Sequence, residues 1–277
     1  MTAIAALLLI FGKTIQDFVS KEGTRVLDSR AIALASAAAG SVFYICAARL
    51  IPGLWKPDAL AIIYGAAGGI AMFFNVRFFA DVRRESNSAA TFGMLIAVGA
   101  AAPINVWLLG EALPLHKTLS CAGLAAIGVL FFIRGAASEL SAAGKIKFFA
   151  AVLFLMGCVF TDFLALERSN WFTVGAAVAV SYFLASMVSL KGGMDKAFVP
   201  SLKYPIFWII GIVGVAMLVF AKYAQGEILG ASLTYAFIRL SVPIVMVLSA
   251  YIYKERTPRE QLIFGMASYL IAIPLFL

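Results

Sequence analysis

The chain has 277 residues, of which 63% are hydrophobic and only 13% are charged, and it carries a formal net charge of +8. These values exclude an ordinary soluble domain, which is about half apolar and about a quarter charged, and they predict an all-α polytopic membrane protein. The basic residues are scattered singly, so the positive charge predicts loops that face anionic lipid and not a nucleic-acid partner.

Apolar runs of spanning length predict ten transmembrane helices, because about 20 apolar residues cross a bilayer. The predicted helices cover approximately residues 3–22, 30–49, 58–80, 88–109, 117–134, 147–166, 170–190, 205–223, 229–253 and 259–277. Prolines and glycines separate them. The N-terminus lacks a positively charged leader, so the first span is expected to begin near Met1.

The first helices of the two halves share a pattern. An offset of 145 carries Asp17 of LLIFGKTIQDFVSKE onto Asp162 of LFLMGCVFTDFLALE. Each half has five helices, and an odd number reverses the second half in the membrane, as in many transporters. The sequence therefore predicts two inverted five-helix repeats, at residues 1–135 and 136–277.

Lysine and arginine are distributed unevenly between the connections. Those after predicted helices 1, 3, 5, 7 and 9 hold fourteen, and those after helices 2, 4, 6 and 8 hold five. The positive-inside rule then puts the odd-numbered connections in the cytoplasm and both termini outside. The predicted location is the inner (cell) membrane of a bacterium.

Each half also carries short motifs near its end, and Phe11-Gly12 forms an aromatic-glycine pair in the first helix. The first half has LLGEALPLHKTLSCAGLAAIGVLFF, with Gly110, Glu111, Gly123 and Gly128, and the second has RLSVPIVMVLSAYIYKERTPREQLIFG, with Pro243, Glu255 and Gly265. These motifs resemble the drug/metabolite transporter (DMT) superfamily, in particular its EamA-like members with ten helices in two five-helix repeats.

The resemblance implies a carrier of small polar metabolites, such as amino acids or other organic ions. It has departures: Lys254 stands where a glycine is expected before Glu255, and Pro103 and Pro243 are not equivalent positions. The resemblance also implies cytoplasmic termini, opposite to the charge count, so both orientations stay open.

The same offset relates Arg77 to Lys222, and a charge inside the membrane is a candidate functional residue. Helix geometry puts Asp17 and Arg77 at similar depth near the odd-numbered face, and Asp162 and Lys222 near the other. Two acid–base pairs are therefore predicted as gates, one for each side of the membrane. The alternative is that each charge pairs locally or extends to the interface.

Lys13 and Arg239 are midplane cations without a charged counterpart in the other half, which predicts a cavity that attracts an anionic group such as a carboxylate or phosphate. In the alternative, Lys13 neutralises Asp17 one helical turn away and leaves Arg239 as the binding cation. The predicted substrate-binding residues are Lys13, Gln16, Asn75, Asn105 and Arg239. Glu111 and Glu255 are interpreted as structural.

The function that these features predict is secondary transport of a small polar or anionic metabolite by alternating access. No nucleotide-binding motif is present, so protons or a counter-substrate are the expected coupling partners, with Asp17 and Asp162 as candidate proton acceptors. One histidine and three widely separated cysteines, interpreted as small buried residues, predict no metal or cofactor. The alternatives are an intramembrane lipid-modifying enzyme and a non-transporting membrane scaffold, and nothing in the sequence fixes an oligomeric state.

Overall fold

The computed structural model describes residues 2–23, 25–134, 139–189, 199–253 and 259–277, and within these ranges the chain is helical without strands. Glu255 lies outside them. The α-helices are α1 (Thr2–Gly23), α2 (Ser29–Leu50), α3 (Ala59–Glu85), α4 (Asn87–Ile104), α5 (Leu115–Arg134), α6 (Ala142–Leu166), α7 (Trp171–Ser189), α8 (Pro205–Ala224), α9 (Ala231–Arg239), α10 (Ser241–Tyr253) and α11 (Arg259–Ala272).

In the described ranges, eight helical segments are long and apolar enough to cross a membrane. They are Thr2–Gly23, Arg30–Leu50, Ala59–Arg83, Phe92–Leu109, Leu115–Arg134, Ala142–Leu166, Trp171–Ser189 and Pro205–Leu229, and the shorter apolar segments Ala231–Val245 and Leu262–Phe276 follow them. The helical content and these apolar spans are those of a polytopic membrane protein.

The prediction of one continuous helix over residues 229–253 is wrong, because the structure breaks it at Leu240 into α9 and α10. Pro243 has no N–H for the carbonyl of Arg239, four residues earlier, and its ring crowds that carbonyl. Helix α9 ends with the bonds of the Leu240 N–H, which donates to the carbonyls of Ala236 and Phe237 at 3.2 and 3.1 Å. The break leaves Arg239 at a helix end inside the bundle.

Two helices end in π-helical turns at the same face of the bundle. α4 continues as Asn105–Leu109, and α8 continues as Gln225–Leu229. The next residues, Gly110 and Gly230, have φ of 77° and 79°, a backbone region that favours glycine. These turns sit at the even-numbered connections, where the candidate site lies.

The helices pack through small residues. α3 packs against α6 and α7, α8 packs against α1 and α2, and α9 packs against α1 and α4. Gly65 and Gly69 lie one turn apart on the face of α3 that meets α7, and a Cβ on Gly69 would overlap the Val178 carbonyl. Without side chains between them the two backbones approach closely, as expected for helices in lipid.

Candidate binding site and buried ion pair

Asp162 of α6 and Lys222 of α8 form an ion pair in the bundle interior, with side chains 1% and 4% exposed. Asp162 Oδ2 also accepts a hydrogen bond from the Tyr235 hydroxyl at 2.7 Å and one from Gln225 Nε2 at 3.2 Å. A buried charge needs such partners because it has lost its water. The structure thus joins the two residues that the sequence predicted as one gate.

The other predicted pair, Asp17 with Arg77, is not formed. Asp17 Oδ1 accepts from Lys13 Nζ at 2.6 Å, and Lys13 also donates to Gln16 Oε1 at 3.1 Å. Positions i and i+4 share a helix face, so Lys13 is a nearer partner for Asp17 than Arg77 of another helix. Helix α3 extends to Glu85 and not to residue 80, and Arg77 lies on its exposed side with no ion pair among the described residues.

The two halves differ because the second supplies extra donors to its aspartate. The offset of 145 maps Gln225 onto Ala80 and Tyr235 onto Ala90, and neither alanine side chain can donate a hydrogen bond. Gln225 and Tyr235 are functional candidates that the sequence analysis missed. Comparison of equivalent positions for polar residues present in only one half would have found them.

Arg239 is a buried cation without a carboxylate partner in the described part of the chain. Its side chain is at the end of α9, the residue is 7% exposed, and its Nη1 donates to Met94 Sδ at 2.8 Å. Its Nε finds no acceptor. A thioether sulfur is a weak acceptor, so the guanidinium keeps unused capacity for an anion.

The two predicted asparagines are both buried and both bonded within the bundle. Asn75 Nδ2 donates to the Ala151 carbonyl at 3.0 Å and so links α3 to α6. Asn105 Nδ2 donates to Glu111 Oε2 at 3.0 Å and to Ser232 Oγ at 3.2 Å. Both side chains therefore connect different elements of the bundle.

Glu111, interpreted from sequence as structural, is held by the start of α9. Its Oε1 accepts from the Ser232 N–H at 3.1 Å, and its Oε2 accepts from the Ser232 hydroxyl. Gly230 lies beside it, since a Cβ there would sit 3.3 Å from Glu111 Oε1. The carboxylate therefore joins the α4–α5 connection to the α8–α9 connection.

A cavity of about 530 Å³ lies among the connections that follow α4, α6 and α8. Its wall includes Glu111, Lys117, Glu167, Gln225 and Glu227. None of the five predicted substrate-binding residues lies on this wall, although Asn105 donates to Glu111, which does. Gln225 connects the two features: it lies on the wall and donates to the buried Asp162.

The described ranges place no three His, Cys, Asp or Glu side chains together as a metal site. All three cysteines are free thiols. Cys121 and Cys158 are buried as predicted, whereas Cys46 is exposed on the outside of α2, so the prediction of a buried Cys46 is wrong.

No family model and no curated protein matches this sequence. A solved structure described as the crystal structure of a protein superposes with a TM-score of 0.67 over 99% of this chain and 96% of that chain, at 14% sequence identity. The likeness shows a shared fold along the whole chain.

Proposed function

We propose that this chain is a secondary transporter of the EamA-like drug/metabolite transporter type, which moves a small polar metabolite across the membrane by alternating access. The observation that carries the proposal is the connection between the cavity and the ion pair. The cavity lies at the even-numbered face, and Gln225 on its wall bonds the buried Asp162 that pairs with Lys222.

A buried ion pair next to a polar cavity costs free energy, and a protein that serves only as a scaffold has no use for it. Charged groups inside a membrane are costly and commonly mark ion or substrate pathways. Asp162 contacts Lys222 of α8, Gln225 of the turn after α8 and Tyr235 of α9, so these contacts join α6 to the second half's later helices. The ion pair is therefore a suitable gate below the cavity, and Asp162 is the proposed proton acceptor.

Ten spans in two inverted repeats are part of the proposal, and the helix contacts support them. Under the offset of 145, α1 corresponds to α6, α2 to α7 and α3 to α8. The contact of α3 with α6 then corresponds to that of α8 with α1, and α3 with α7 corresponds to α8 with α2; all four contacts occur. Arg239 donates a hydrogen bond to Met94, and the offset of 145 maps these two residues onto each other.

The substrate group proposed for Arg239 is an anion. A carboxylate or phosphate would give the guanidinium a charged acceptor in place of the Met94 thioether sulfur. Lys13 is a weaker candidate because Asp17 and Gln16 already accept from it. Asp17 is a second proposed proton acceptor, toward the odd-numbered face, and its pair with Lys13 lies within α1 and joins no second helix.

The test is transport by the purified chain in proteoliposomes, measured as exchange of labelled organic acids and amines. The double variant Asp162→Asn/Lys222→Met removes both charges of the gate without leaving one unpaired. We expect normal folded yield and at least tenfold slower exchange, whereas Glu22→Gln, in an exposed pair with Arg25, should exchange like the wild type.

Two results would contradict the carrier. One is unchanged exchange in the double variant at normal yield. The other is absence of exchange for every solute in the wild type, combined with turnover of a lipid substrate, which would favour the intramembrane enzyme.

A further inference from the structure

Helix α9 begins without a cap from its own side chains. The residue before it is Gly230, whose φ of 79° and ψ of 170° lie in a backbone region that only glycine adopts readily. The first N–H groups of a helix have no partner inside the helix. Glu111 supplies one, since its Oε1 accepts from the Ser232 N–H at 3.1 Å and its Oε2 accepts from the Ser232 hydroxyl. The start of α9 is therefore held by a carboxylate from the other half of the chain.

The equivalent helix of the first half is capped locally. The offset of 145 maps Ala231 onto Ser86, and the Ser86 hydroxyl accepts from the Ala89 N–H at 3.1 Å at the start of α4. A local cap stays in place when its helix moves, because it moves with the helix. A cap that comes from another segment breaks when the two segments separate. The hold on α9 therefore depends on the position of Glu111, whereas the cap of α4 does not depend on another helix.

The Glu111–Ser232 contact is buried and joins three elements. Ser232 is fully buried, and Glu111 is 9% exposed. Asn105, in the turn after α4, donates through Nδ2 to both side chains, at 3.0 Å to Glu111 and at 3.2 Å to Ser232. Hydrogen bonds that involve a charged group are about twice as strong as those between neutral groups. The first turn of α9 is therefore firmly restrained.

Helix α9 connects this contact to the buried ion pair. Tyr235 lies three residues after Ser232, on the same side of the helix, and its hydroxyl donates to Asp162 Oδ2 at 2.7 Å. All nine residues of α9 are buried, and the break at Leu240 separates the helix from α10. Glu111 also lies on the cavity wall. One turn of helix thus links a residue of the cavity to the carboxylate of the proposed gate.

We propose that Glu111 is a gating residue. While its carboxylate holds Ser232, α9 stays against the α4–α5 connection and Tyr235 stays on Asp162. When the contact breaks, α9 is released at its first turn and the even-numbered face opens toward the ion pair. Glu111 acts through α9 and is therefore a positioning residue. The proposal rests on the proposed function, since it assigns one step of alternating access.

The experiment measures how fast a buried thiol on α9 reacts with N-ethylmaleimide in the purified protein in detergent. The reporter is Thr234→Cys in a Cys46→Ala background, because Thr234 is fully buried and cysteine is close to threonine in size. Native Cys121 of α5 is equally buried and is the internal reference for global unfolding. Peptide mass spectrometry follows both thiols in the same sample.

Two variants weaken the contact from its two sides. Glu111→Gln and Ser232→Ala should each raise the labelling rate of Thr234→Cys about tenfold relative to Cys121, which corresponds to the loss of one hydrogen bond to a charged group. The double variant Glu111→Gln/Ser232→Ala should exceed the larger single effect only slightly, because both substitutions break the same contact.

Ser86→Ala is the matched control, since it removes the local cap of α4. It should lower the midpoint of thermal unfolding without changing the labelling of Thr234→Cys relative to Cys121. A rise equal to that of the Glu111 and Ser232 variants would overturn the proposal, because loss of any helix cap would then have the same effect.

Two further results would overturn the proposal: unchanged labelling of Thr234→Cys in both contact variants, and an equal rise at Thr234→Cys and Cys121. In either case Glu111 would be an ordinary helix cap. Solute exchange combined with unchanged labelling would remove Glu111 from the gate and leave the carrier in place. A selective rise in labelling in a protein that exchanges no solute would support the release of α9 and count against the carrier.

Discussion

At the scale of single residues, burial distinguishes the two acid–base pairs. The Asp162 and Lys222 side chains are 1% and 4% exposed, whereas those of Asp17 and Lys13 are 15% and 16% exposed. Removing one member of a fully buried pair leaves an uncompensated charge, which is far more costly than losing the pair itself. The two pairs should therefore respond differently to the same substitution.

We expect Asp162→Asn to lower the free energy of unfolding by about 3–5 kcal/mol, because Lys222 loses its counter-charge. The double variant Asp162→Asn/Lys222→Met should recover most of this loss. Asp17→Asn should cost less, since Lys13 keeps its hydrogen bond to Gln16 Oε1 and its side chain is partly exposed. Unfolding by heat in detergent measures all three, and equal losses for Asp162→Asn and Asp17→Asn would contradict the difference in burial.

Arg239 makes a second prediction at this scale. Arg239→Gln should weaken butyrate and inorganic phosphate at least tenfold, because the guanidinium is the unpaired buried cation of the proposed anion site. Arg239→Lys keeps the charge and should lose less. Ligand-dependent thermal shifts measure both, and unchanged anion binding in Arg239→Gln would remove this residue from the substrate site.

At the scale of helices, glycine determines how closely α3 approaches its neighbours. A Cβ on Gly69 would overlap the Val178 carbonyl and come within 3.0 Å of the Tyr182 nitrogen, and neither backbone atom can turn away. A Cβ on Gly157 of α6 would meet only Ala71 Cβ at 3.9 Å, an ordinary contact. Two glycines of similar appearance in the sequence thus have different surroundings.

Gly69→Ala should therefore destabilise the protein by about 1–3 kcal/mol through overpacking of α3 against α7. Gly157→Ala is the matched control, and it should be neutral or slightly stabilising, because alanine is the better helix former. Midpoints of thermal unfolding in the same detergent compare the two. A smaller loss for Gly69→Ala than for Gly157→Ala would show that α3 and α7 can separate at little cost.

At the scale of the whole molecule, orientation remains the property on which charge count and family resemblance disagree. The charge count puts the even-numbered face, which holds the cavity, outside the cell. The substitutions are made in a Cys46→Ala background, which lacks the exposed native thiol. Glu227→Cys then tests whether the even-numbered face is accessible from outside, and Glu22→Cys tests the odd-numbered face.

In intact cells, a membrane-impermeant maleimide should label Glu227→Cys and not Glu22→Cys. The reverse labelling would favour cytoplasmic termini, as the resemblance implies, and would place the cavity on the cytoplasmic side. Labelling of both positions only after lysis would show that neither loop is accessible from outside.

The sequence by itself determined the helical membrane class and most of the apolar spans, because both follow from composition and from the length of apolar runs. It also predicted the pair of Asp162 with Lys222, because the inverted repeat puts both residues at similar depth in the membrane. It did not determine the break at Leu240 or the choice of Lys13 over Arg77 as the partner of Asp17, because these depend on helix ends and rotations.

Only the tertiary structure brought Gln225 and Tyr235 to Asp162, and only it placed Glu111, Glu167 and Glu227 around one cavity. The physical reason is that residues far apart in the chain meet through helix packing. Lipid imposes an apolar exterior on every helix, but it leaves each helix free to rotate, and the fit of small residues against neighbouring backbones decides which polar side chains face inward.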